Sequence, residues 1–344
     1  MENKKKHIIF IANPISGTRG KEIIINNIHK LIDKNLFSYE IALTQYAGHA
    51  AIIAQNAAEK GIDIVVAVGG DGTINEVARS LVHTDTTLGI IPCGSGNGLA
   101  RHLQIPINSK KAIEIINKCH IKSLDYGKVN EMPFFCTCGI GFDAFVSLKF
   151  AETGKRGLLT YIDSTLKEWL QYKPETYTIE NETGSIQYKA VLIACANASQ
   201  YGNNAYICPD ASMSDGLMDV TIMEPFNYLQ APQIAFQLFN KTLNSNSHIK
   251  TFKSKKIRIT REKEGAIHCD GDPLNVGTTI DVEVIEKGLN VITCATAKKK
   301  PENFVQVFGT YLNNAYKLSE ESFQTNSKRF IEMNRTFIDK IKNK

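Results

Sequence analysis

Residues 62–81 read IDIVVAVGGDGTINEVARSL, and this stretch decides the fold of the chain. The apolar run before the glycines predicts a buried strand, and the segment from Ile74 to Leu81 predicts a helix. The turn between them, Gly69-Gly70-Asp71-Gly72-Thr73, brings backbone N–H groups and the positive end of a helix dipole to one point. Its glycines let a phosphate approach the backbone, because no Cβ stands in the way. The carboxylate of Asp71 fits beside phosphates if it holds Mg²⁺ or accepts a proton from an attacking hydroxyl, so the turn indicates phosphoryl transfer from a nucleotide.

Two further strand ends in the first hundred residues carry polar, glycine-rich loops. The strand Ile8–Ala12 leads into Asn13-Pro14-Ile15-Ser16-Gly17, and the strand Leu88–Ile91 leads into Pro92-Cys93-Gly94-Ser95-Gly96-Asn97. A lone glycine turn is explained equally well as a tight connection between a strand and a helix. Three such loops favour a nucleotide site, because ligands of open α/β sheets bind at the carboxyl ends of the strands.

These loops match neither of the two common nucleotide motifs. A Walker A loop requires glycine where the chain has Ile15, and the dinucleotide fingerprint requires glycine where it has Leu99. We therefore expect neither a P-loop NTPase nor an ordinary NAD dehydrogenase.

Four motifs follow one another along the chain: Asn13-Pro14 with Ser16-Gly17, Gly69–Thr73, Pro92–Asn97 with Ala100-Arg101, and Asp270-Gly271-Asp272-Pro273. The segments Gly139–Ala144 and Pro209–Asp219 fit the same pattern. Over roughly residues 7–295, the chain resembles the catalytic unit shared by diacylglycerol kinases, sphingosine kinases and bacterial lipid kinases. This group is more distantly similar to NAD kinases and phosphofructokinases.

The fold prediction combines the strand and helix pattern with this resemblance. Up to residue 128, predicted strands and helices alternate, which is typical of a doubly wound α/β (Rossmann-like) domain. The remainder predicts a mainly β sandwich, with helices near 157–171 and 228–242. The resemblance implies a nucleotide-binding domain over 1–128, to which the tail 299–344 returns, and a lipid-substrate domain over 129–298, with ATP in the cleft between them. The strands predicted in the second half are 134–142, 176–180, 186–196, 217–223, 251–260, 279–285 and 289–293.

The resemblance also implies which residues contact the nucleotide. Thr73 and Ser95 would supply hydroxyls, and the loops around them would supply N–H donors. The complete set of expected ATP contacts is Asn13, Ser16, Gly17, Thr44, Gly69, Gly70, Asp71, Gly72, Thr73, Gly94, Ser95, Gly96 and Asn97.

Three aspartates are the expected catalytic residues. A lipid hydroxyl has a pKa far above 7, so a positioned carboxylate is needed to take its proton during transfer. The resemblance offers Asp270 or Asp71 as that base, with both sharing the Mg²⁺ work, and the choice between them stays open. The family usually has Asp-Gly-Glu where this chain has Asp270-Gly271-Asp272, so the second carboxylate is one methylene shorter here.

The remaining acidic candidates are also assigned by the resemblance. Asp125 and Asp143 lie where the family places acids that face the lipid head group. A structural Mg²⁺ is implied at Asp210, Asp215 and Asp219, although turns capped by their own aspartates explain that spacing equally well.

The tail carries the net charge. The chain has a formal charge of +5, and residues 298–344 hold ten Lys and Arg against five Asp and Glu. Residues 327–342 predict a basic amphipathic helix, which suits either a membrane interface or packing on the first domain or on a second subunit of a homodimer; packing is favoured. No apolar run approaches the roughly 18 residues of a membrane span, so we expect a cytoplasmic protein with at most peripheral membrane contact, and no nucleic acid partner.

The resulting hypothesis is an ATP- and Mg²⁺-dependent lipid kinase acting on diacylglycerol or a sphingoid base. An NAD kinase-like enzyme is a weaker alternative, since it would not need the Pro209–Asp219 segment or the tail. A lipid-binding protein that keeps the fold without catalysis stays open as well: Asp71, Asp270 and the complete glycine loop argue against it, and the shortened Asp272 argues mildly for it.

Overall fold

The first half of the chain alternates strands and helices. The computed structural model describes residues 5–14, 21–153 and 172–294. Its first elements are β1 (Lys6–Ala12), α1 (Lys21–Leu31), β2 (Phe37–Leu43), α2 (His49–Glu59), β3 (Ile64–Gly69), α3 (Asp71–Leu81), β4 (Thr87–Pro92), α4 (Gly98–His102) and α5 (Ser109–Lys118). Strands β1 to β4 are parallel in the order β2-β1-β3-β4, which confirms the doubly wound prediction and brings their carboxyl ends to one edge.

Burial explains why these residues form these elements. Strands β3 and β4 are buried along their whole length, as parallel strands covered by helices on both faces must be. Helix α3 buries Ile74, Val77, Ala78 and Leu81, which recur at helical spacing and form one apolar face. Helix α2 buries three alanines, and these small side chains let it pack closely against α3.

The second half is dominated by strands. Its elements are β5 (Ile121–Val129), β6 (Met132–Phe134), β7 (Thr137–Gly141), α6 (Phe142–Thr153), β8 (Glu175–Asn181), β9 (Gly184–Ala190), β10 (Leu192–Ala196), β11 (Met218–Met223), α7 (Ala231–Phe239), β12 (Ile249–Ser254), β13 (Lys256–Arg261), β14 (Gly265–Cys269), β15 (Asp272–Val276) and β16 (Thr279–Ile292). Short 3₁₀ turns precede and follow α7, over Tyr228–Gln230 and Leu243–Ser245.

Two antiparallel layers form the predicted sandwich. One is a six-stranded sheet in the order β12-β11-β10-β7-β14-β15. The other consists of β5, β6, β8, β9, β13 and β16, and the core between the layers includes Ile140 and Ile267 from the first and Tyr177, Ile259 and Val282 from the second. The sandwich prediction is therefore confirmed.

Strand β16 joins the sandwich to the first half. Val291 of β16 pairs in parallel with Leu88 of β4, so a ten-stranded sheet runs β2-β1-β3-β4-β16-β13-β8-β9, with β5 paired to β16 and β6 to β5. This shared sheet places the turns of the sandwich beside the loops that follow β3 and β4. The division of the chain into 1–128 and 129–298 stays a prediction.

Several strand boundaries differ from the predictions. The predicted strands 186–196 and 251–260 are each two strands, because the chain passes from one layer of the sandwich to the other at Val191 and Lys255 without losing its β pattern. The predicted strand 134–142 contains the last residue of β6, the whole of β7 and the first residue of α6. Conversely, 279–285 and 289–293 are one strand with an irregularity in its pairing between Ile285 and Leu289.

Other predictions have different outcomes. The helix near 228–242 is confirmed as α7 with its preceding 3₁₀ turn. Strands β5, β14 and β15 were not predicted, because their glycine, proline and charged residues weaken the β signal. The predicted helices 157–171 and 327–342 and the tail 299–344 lie outside the described residues.

Candidate active site

Two glycine loops at the ends of β3 and β4 close on each other. A Cβ on Gly94 would lie 2.6 Å from the Cα of Gly70, so the two backbones touch where only glycine fits. Asp71 joins the loops, since its Oδ2 accepts from the backbone N–H of Asn97 at 2.8 Å and its Oδ1 from that of Gly98 at 2.7 Å. The Asn97 amide closes the second loop, accepting from Gly94 N at 2.9 Å and donating to Gly94 O at 2.7 Å. The two loops therefore form one unit with Asp71 at its centre.

The end of β1 contributes a third wall. Asn13 Nδ2 donates to the hydroxyl of Thr73 at 3.4 Å, and the backbone N–H of Thr44 donates to Ala12 O at 3.0 Å. Thr73 and Thr44 are buried, whereas Gly72 and Ser95 are exposed. The structure thus brings the predicted nucleotide contacts of β1, β2, β3 and β4 to one sheet edge; Ser16 and Gly17 lie outside the described residues.

Asp270 is held at the tip of the β14–β15 hairpin. Its Oδ2 accepts from the backbone N–H of Phe135 at 2.8 Å, and its Oδ1 accepts from those of Cys136 at 2.7 Å and Thr137 at 3.0 Å. Because a carboxylate oxygen can accept two hydrogen bonds, Oδ2 keeps an acceptor position. Burial raises the pKa of Asp270 above that of an ordinary aspartate, while the three N–H donors act to lower it.

Cys136 shows that Asp71 and Asp270 are neighbours. A Cβ on Gly98, whose N–H binds Asp71, would lie 3.4 Å from Cys136 Sγ, and the N–H of Cys136 binds Asp270. Burial raises the pKa of the Cys136 thiol well above its usual value, and the charges of Asp270 and Asp71 raise it further. The structure therefore brings together the two carboxylates that the sequence offers as the base.

Asp272 makes a different contact. Its Oδ2 lies 3.4 Å from Nη1 of Arg79, and 57% of its side chain is exposed. Arg79, in the last turn of α3, also donates from Nε to Pro133 O at 3.1 Å. Asp272 therefore links α3 to the sandwich.

The two aspartates predicted to face the lipid are both buried. Asp125 in β5 accepts from the backbone N–H groups of Gly216 at 2.9 Å and Lys287 at 2.8 Å, one at each oxygen. Asp143, in the first turn of α6, accepts from Tyr201 Oη at 2.7 Å and lies 3.1 Å from His268 Nε2, both through Oδ2. Its buried Oδ1 has no hydrogen-bond partner among the residues the structure describes. Asp125 thus links β5 to β16 and to the loop that contains Gly216. Asp143 belongs to a polar cluster near the Asp270 turn.

Two of the three residues predicted to hold a structural Mg²⁺ form ion pairs with a lysine. Lys253 Nζ lies 2.8 Å from Asp215 Oδ2 and 3.2 Å from Asp219 Oδ2, and Asp210 accepts from Asn244 Nδ2 at 3.3 Å. Burial raises the pKa of Asp219, and the negative charges of Asp215 and Asp210 raise this pKa further. The ion pair with Lys253 acts to lower it. Within 5–14, 21–153 and 172–294, no group of three or more His, Cys, Asp or Glu side chains is arranged to hold a metal ion. With an ammonium between two of the proposed ligands, these residues do not fit Mg²⁺.

Three polar side chains that stabilise this region have no role assigned from the sequence, although Arg101 lies within one of the quoted motifs. Arg101 donates from Nε to Gly96 O at 3.0 Å, and the Ser199 backbone N–H donates to His102 Nδ1 at 3.1 Å. Burial lowers the pKa of His102 to about 4, so its ring is neutral in the folded protein at pH 7. Asn197 Nδ2 donates to two carbonyl oxygens, each at 3.0 Å. The proximity of Arg101 and His102 to a glycine loop was a usable signal, whereas Asn197 has none.

Two family models match the chain. Residues 7–129 match the family described as the diacylglycerol kinase catalytic domain, and residues 137–293 match the YegS C-terminal NAD kinase beta sandwich-like domain. The chain is similar to the diacylglycerol kinase of Bacillus subtilis (strain 168), with 29% identity over 78% of this chain and 90% of that protein. It is also similar to an Enterobacter sp. (strain 638) protein named "Probable lipid kinase YegS-like", with 28% identity over 79% of this chain and 91% of that protein.

A solved structure supports the fold. The crystal structure of a diacylglycerol kinase from Bacillus anthracis str. Sterne superposes with a TM-score of 0.68 at 24% identity, over 85% of this chain and 98% of that one. In the described part of the chain, no helix has the length and apolar composition needed to cross a bilayer.

Proposed function

Since this chain belongs to the diacylglycerol kinase-like family of lipid kinases, we propose that it transfers the γ-phosphoryl group of ATP, bound as its Mg²⁺ complex, to a lipid hydroxyl. One observation carries the proposal: the glycine loops centred on Asp71 meet the anchored carboxylate of Asp270 at Cys136. This arrangement places a phosphate-binding loop unit beside a carboxylate with an unused acceptor position, which phosphoryl transfer to a hydroxyl requires.

The loop unit is proposed to bind the phosphates of ATP. Both oxygens of Asp71 are engaged by the N–H groups of Asn97 and Gly98. The N–H groups around Gly70, Gly72 and Ser95 are therefore the ones proposed to bind phosphate oxygens. The other expected contacts, Asn13, Thr44 and Thr73 among them, then serve mainly by shaping the walls of this pocket. In this proposal Asp71 positions the loops.

Asp270 is proposed to be the base. Its Oδ2 accepts one N–H bond and can accept the proton that leaves the lipid hydroxyl as the hydroxyl oxygen bonds to the γ-phosphorus and ADP departs. Burial favours this role, since a raised pKa makes the carboxylate a stronger base. The hydrogen bonds to Phe135, Cys136 and Thr137 keep the carboxylate in one orientation without using that position.

The lipid acceptor is proposed to be diacylglycerol or a sphingoid base. The B. subtilis relative carries the name diacylglycerol kinase, which favours the first. The acceptor would approach from the sandwich side of Asp270. Asp143 is proposed to face the acceptor, since its buried Oδ1 has no hydrogen-bond partner among the described residues, whereas both oxygens of Asp125 are engaged.

The test is transfer of radiolabelled γ-phosphate from ATP to diacylglycerol, ceramide, a sphingoid base, phosphatidylglycerol and NAD. We expect labelling of one lipid class by the wild-type chain and loss of that labelling in Asp270→Asn. Labelling of NAD alone would indicate the NAD kinase-like alternative, and no labelling under conditions where the B. subtilis enzyme is active would indicate a binding protein.

A further inference from the structure

The turn that carries Asp270 is a two-residue hairpin connection. Cys269 pairs with Asp272 across it, and the residues between them have φ values of 53° for Asp270 and 90° for Gly271. Two successive left-handed residues of the type Asp-Gly are typical of a type I′ turn. A Cβ added to Gly271 would meet nothing within 4 Å, so the second residue of the turn has no packing neighbour at that position.

A hydrogen bond from the turn to His268 helps to hold this tip. The backbone N–H of Gly271 donates to His268 Nδ1 at 3.2 Å. Because Nδ1 accepts, the ring proton of a neutral His268 lies on Nε2, which faces Asp143 Oδ2 at 3.1 Å. Tyr201 Oη donates to the same carboxylate oxygen at 2.7 Å. The contacts therefore run from α6 through one imidazole to the turn next to Asp270.

The His268 imidazole is buried and closely surrounded by other residues. His268 is 2% exposed, and the Tyr201 ring packs against it edge-on at 6.2 Å between centroids. A Cβ on Gly139 would lie 2.2 Å from His268 Nε2 and from both oxygens of Asp143, so β7 leaves room for this pair only because it has glycine there. The imidazole has one orientation available, and its second nitrogen is fixed by Asp143.

We propose that His268 is a positioning residue for phosphoryl transfer: oriented by Asp143 and Tyr201, it holds the Asp270-Gly271 turn so that Oδ2 of Asp270 faces the acceptor hydroxyl. This inference rests on the proposed lipid kinase function and adds to it a residue that touches neither ATP nor lipid. The backbone N–H groups of Phe135, Cys136 and Thr137 fix the carboxylate. A bond from Asp270 N–H to Thr137 O at 2.8 Å holds the first residue of the turn, and the bond to His268 holds the second.

Two substitutions test the roles of the two ring nitrogens of His268 separately. His268→Asn can place its amide oxygen near the position of Nδ1, which keeps an acceptor for Gly271 N–H and gives up the contact with Asp143. His268→Gln can place its amide nitrogen near the position of Nε2, which keeps the contact with Asp143 and gives up the acceptor. We expect kcat to fall about tenfold in His268→Gln, the scale of one lost hydrogen bond at a reacting group, with KM for ATP and lipid unchanged. We expect His268→Asn to recover kcat to within about threefold of wild type, because the bond to the turn is kept.

Thermal unfolding and a second variant keep the test decisive. Tyr201→Phe removes the hydroxyl bound to Asp143 and retains the ring, and it should lower kcat by a smaller factor than His268→Gln while its Tm stays near that of wild type. If His268→Asn and His268→Gln have the same kcat, whether that of wild type or a lower one, the proposal is overturned. A His268→Gln variant in which only KM changes also overturns it. If His268→Gln does not fold, a wild-type kcat in Tyr201→Phe overturns the proposal and a reduced kcat at unchanged KM supports it.

Failure of the kinase function itself is recognised separately, by a wild-type chain that labels no lipid or by an Asp270→Asn variant that keeps full activity.

Discussion

The glycine loops of the first half and the Asp270 turn of the sandwich use the same groups in opposite ways. In the loops, the carboxylate of Asp71 holds the backbone in place, because both of its oxygens accept from N–H groups of the second loop. In the turn, the backbone serves the carboxylate: three N–H groups hold Asp270, and one oxygen keeps an acceptor position. The comparison teaches that an aspartate beside glycines has no fixed role, because the hydrogen bonds its oxygens already accept decide what it can still do.

The largest expected effect tests the turn. Asp270→Asn should lower kcat by about 10²-fold or more, the scale for loss of a general base, because an amide cannot take the hydroxyl proton. Phosphate transfer to the preferred lipid measures this, with thermal unfolding as the check that the variant folds. Wild-type kcat in this variant would mean that Asp270 is not the base.

The pH dependence sharpens the same assignment. Asp270 acts as a carboxylate, so kcat should fall on acidification as the group becomes protonated. Burial raises the pKa of Asp270, so the fall should begin at a higher pH than for an ordinary aspartate. A pH–rate profile at saturating ATP and lipid checks this, and a profile that stays flat down to the pH at which an ordinary aspartate protonates would contradict it.

A matched pair of glycine substitutions tests the contact between the loops. Gly94→Ala should lower the free energy of unfolding by about 1–3 kcal/mol, the usual cost of forced overpacking, because the new Cβ would lie 2.6 Å from the Cα of Gly70. Gly72→Ala is the control for stability, since its Cβ would meet nothing within 4 Å. Denaturant unfolding measures both, and equal stability of the two variants would show that the loops can separate without cost.

Asp71→Asn should have a smaller effect than Asp270→Asn, and of another kind. One of the N–H groups of Asn97 or Gly98 loses its acceptor, so the loop loosens and KM for ATP should rise about tenfold, the scale of one charge-assisted hydrogen bond. Steady-state kinetics with varied ATP measure this. If Asp71→Asn instead lowered kcat a hundredfold at unchanged KM, Asp71 would be the base and would not act mainly by positioning the loops.

We expect little effect at Lys253 and the two aspartates that it contacts, Asp215 and Asp219. EDTA should leave the Tm of the purified chain unchanged, because an ammonium lies between Asp215 and Asp219. Lys253→Met should lower the free energy of unfolding by about 1 kcal/mol, the upper range for a half-exposed ion pair. A Tm that falls with EDTA and recovers with Mg²⁺ would instead support the structural metal.

Local patterns predicted most of the fold. The strand, glycine turn and helix over 62–81 are all found, since each depends on residues within one turn or strand. The strand signals of β14 and β15 are weak, but the turn between them carries a clear one, because Asp270-Gly271 is a usual sequence of a tight two-residue hairpin turn. No local signal marks β5, whose exposed first residues pair with β16 more than 150 residues later in the chain.

The sequence by itself determined the strand-end glycine loops and the set of acids available to the site. These follow from short-range rules: apolar runs form strands, and glycine permits close backbone contact. Only the tertiary structure decided the part each acid plays, because the partners of Asp270 lie 133 to 135 residues away along the chain and those of Asp71 lie 26 and 27 residues away. A carboxylate has a limited number of acceptor positions, and the fold determines which of them remain for a substrate.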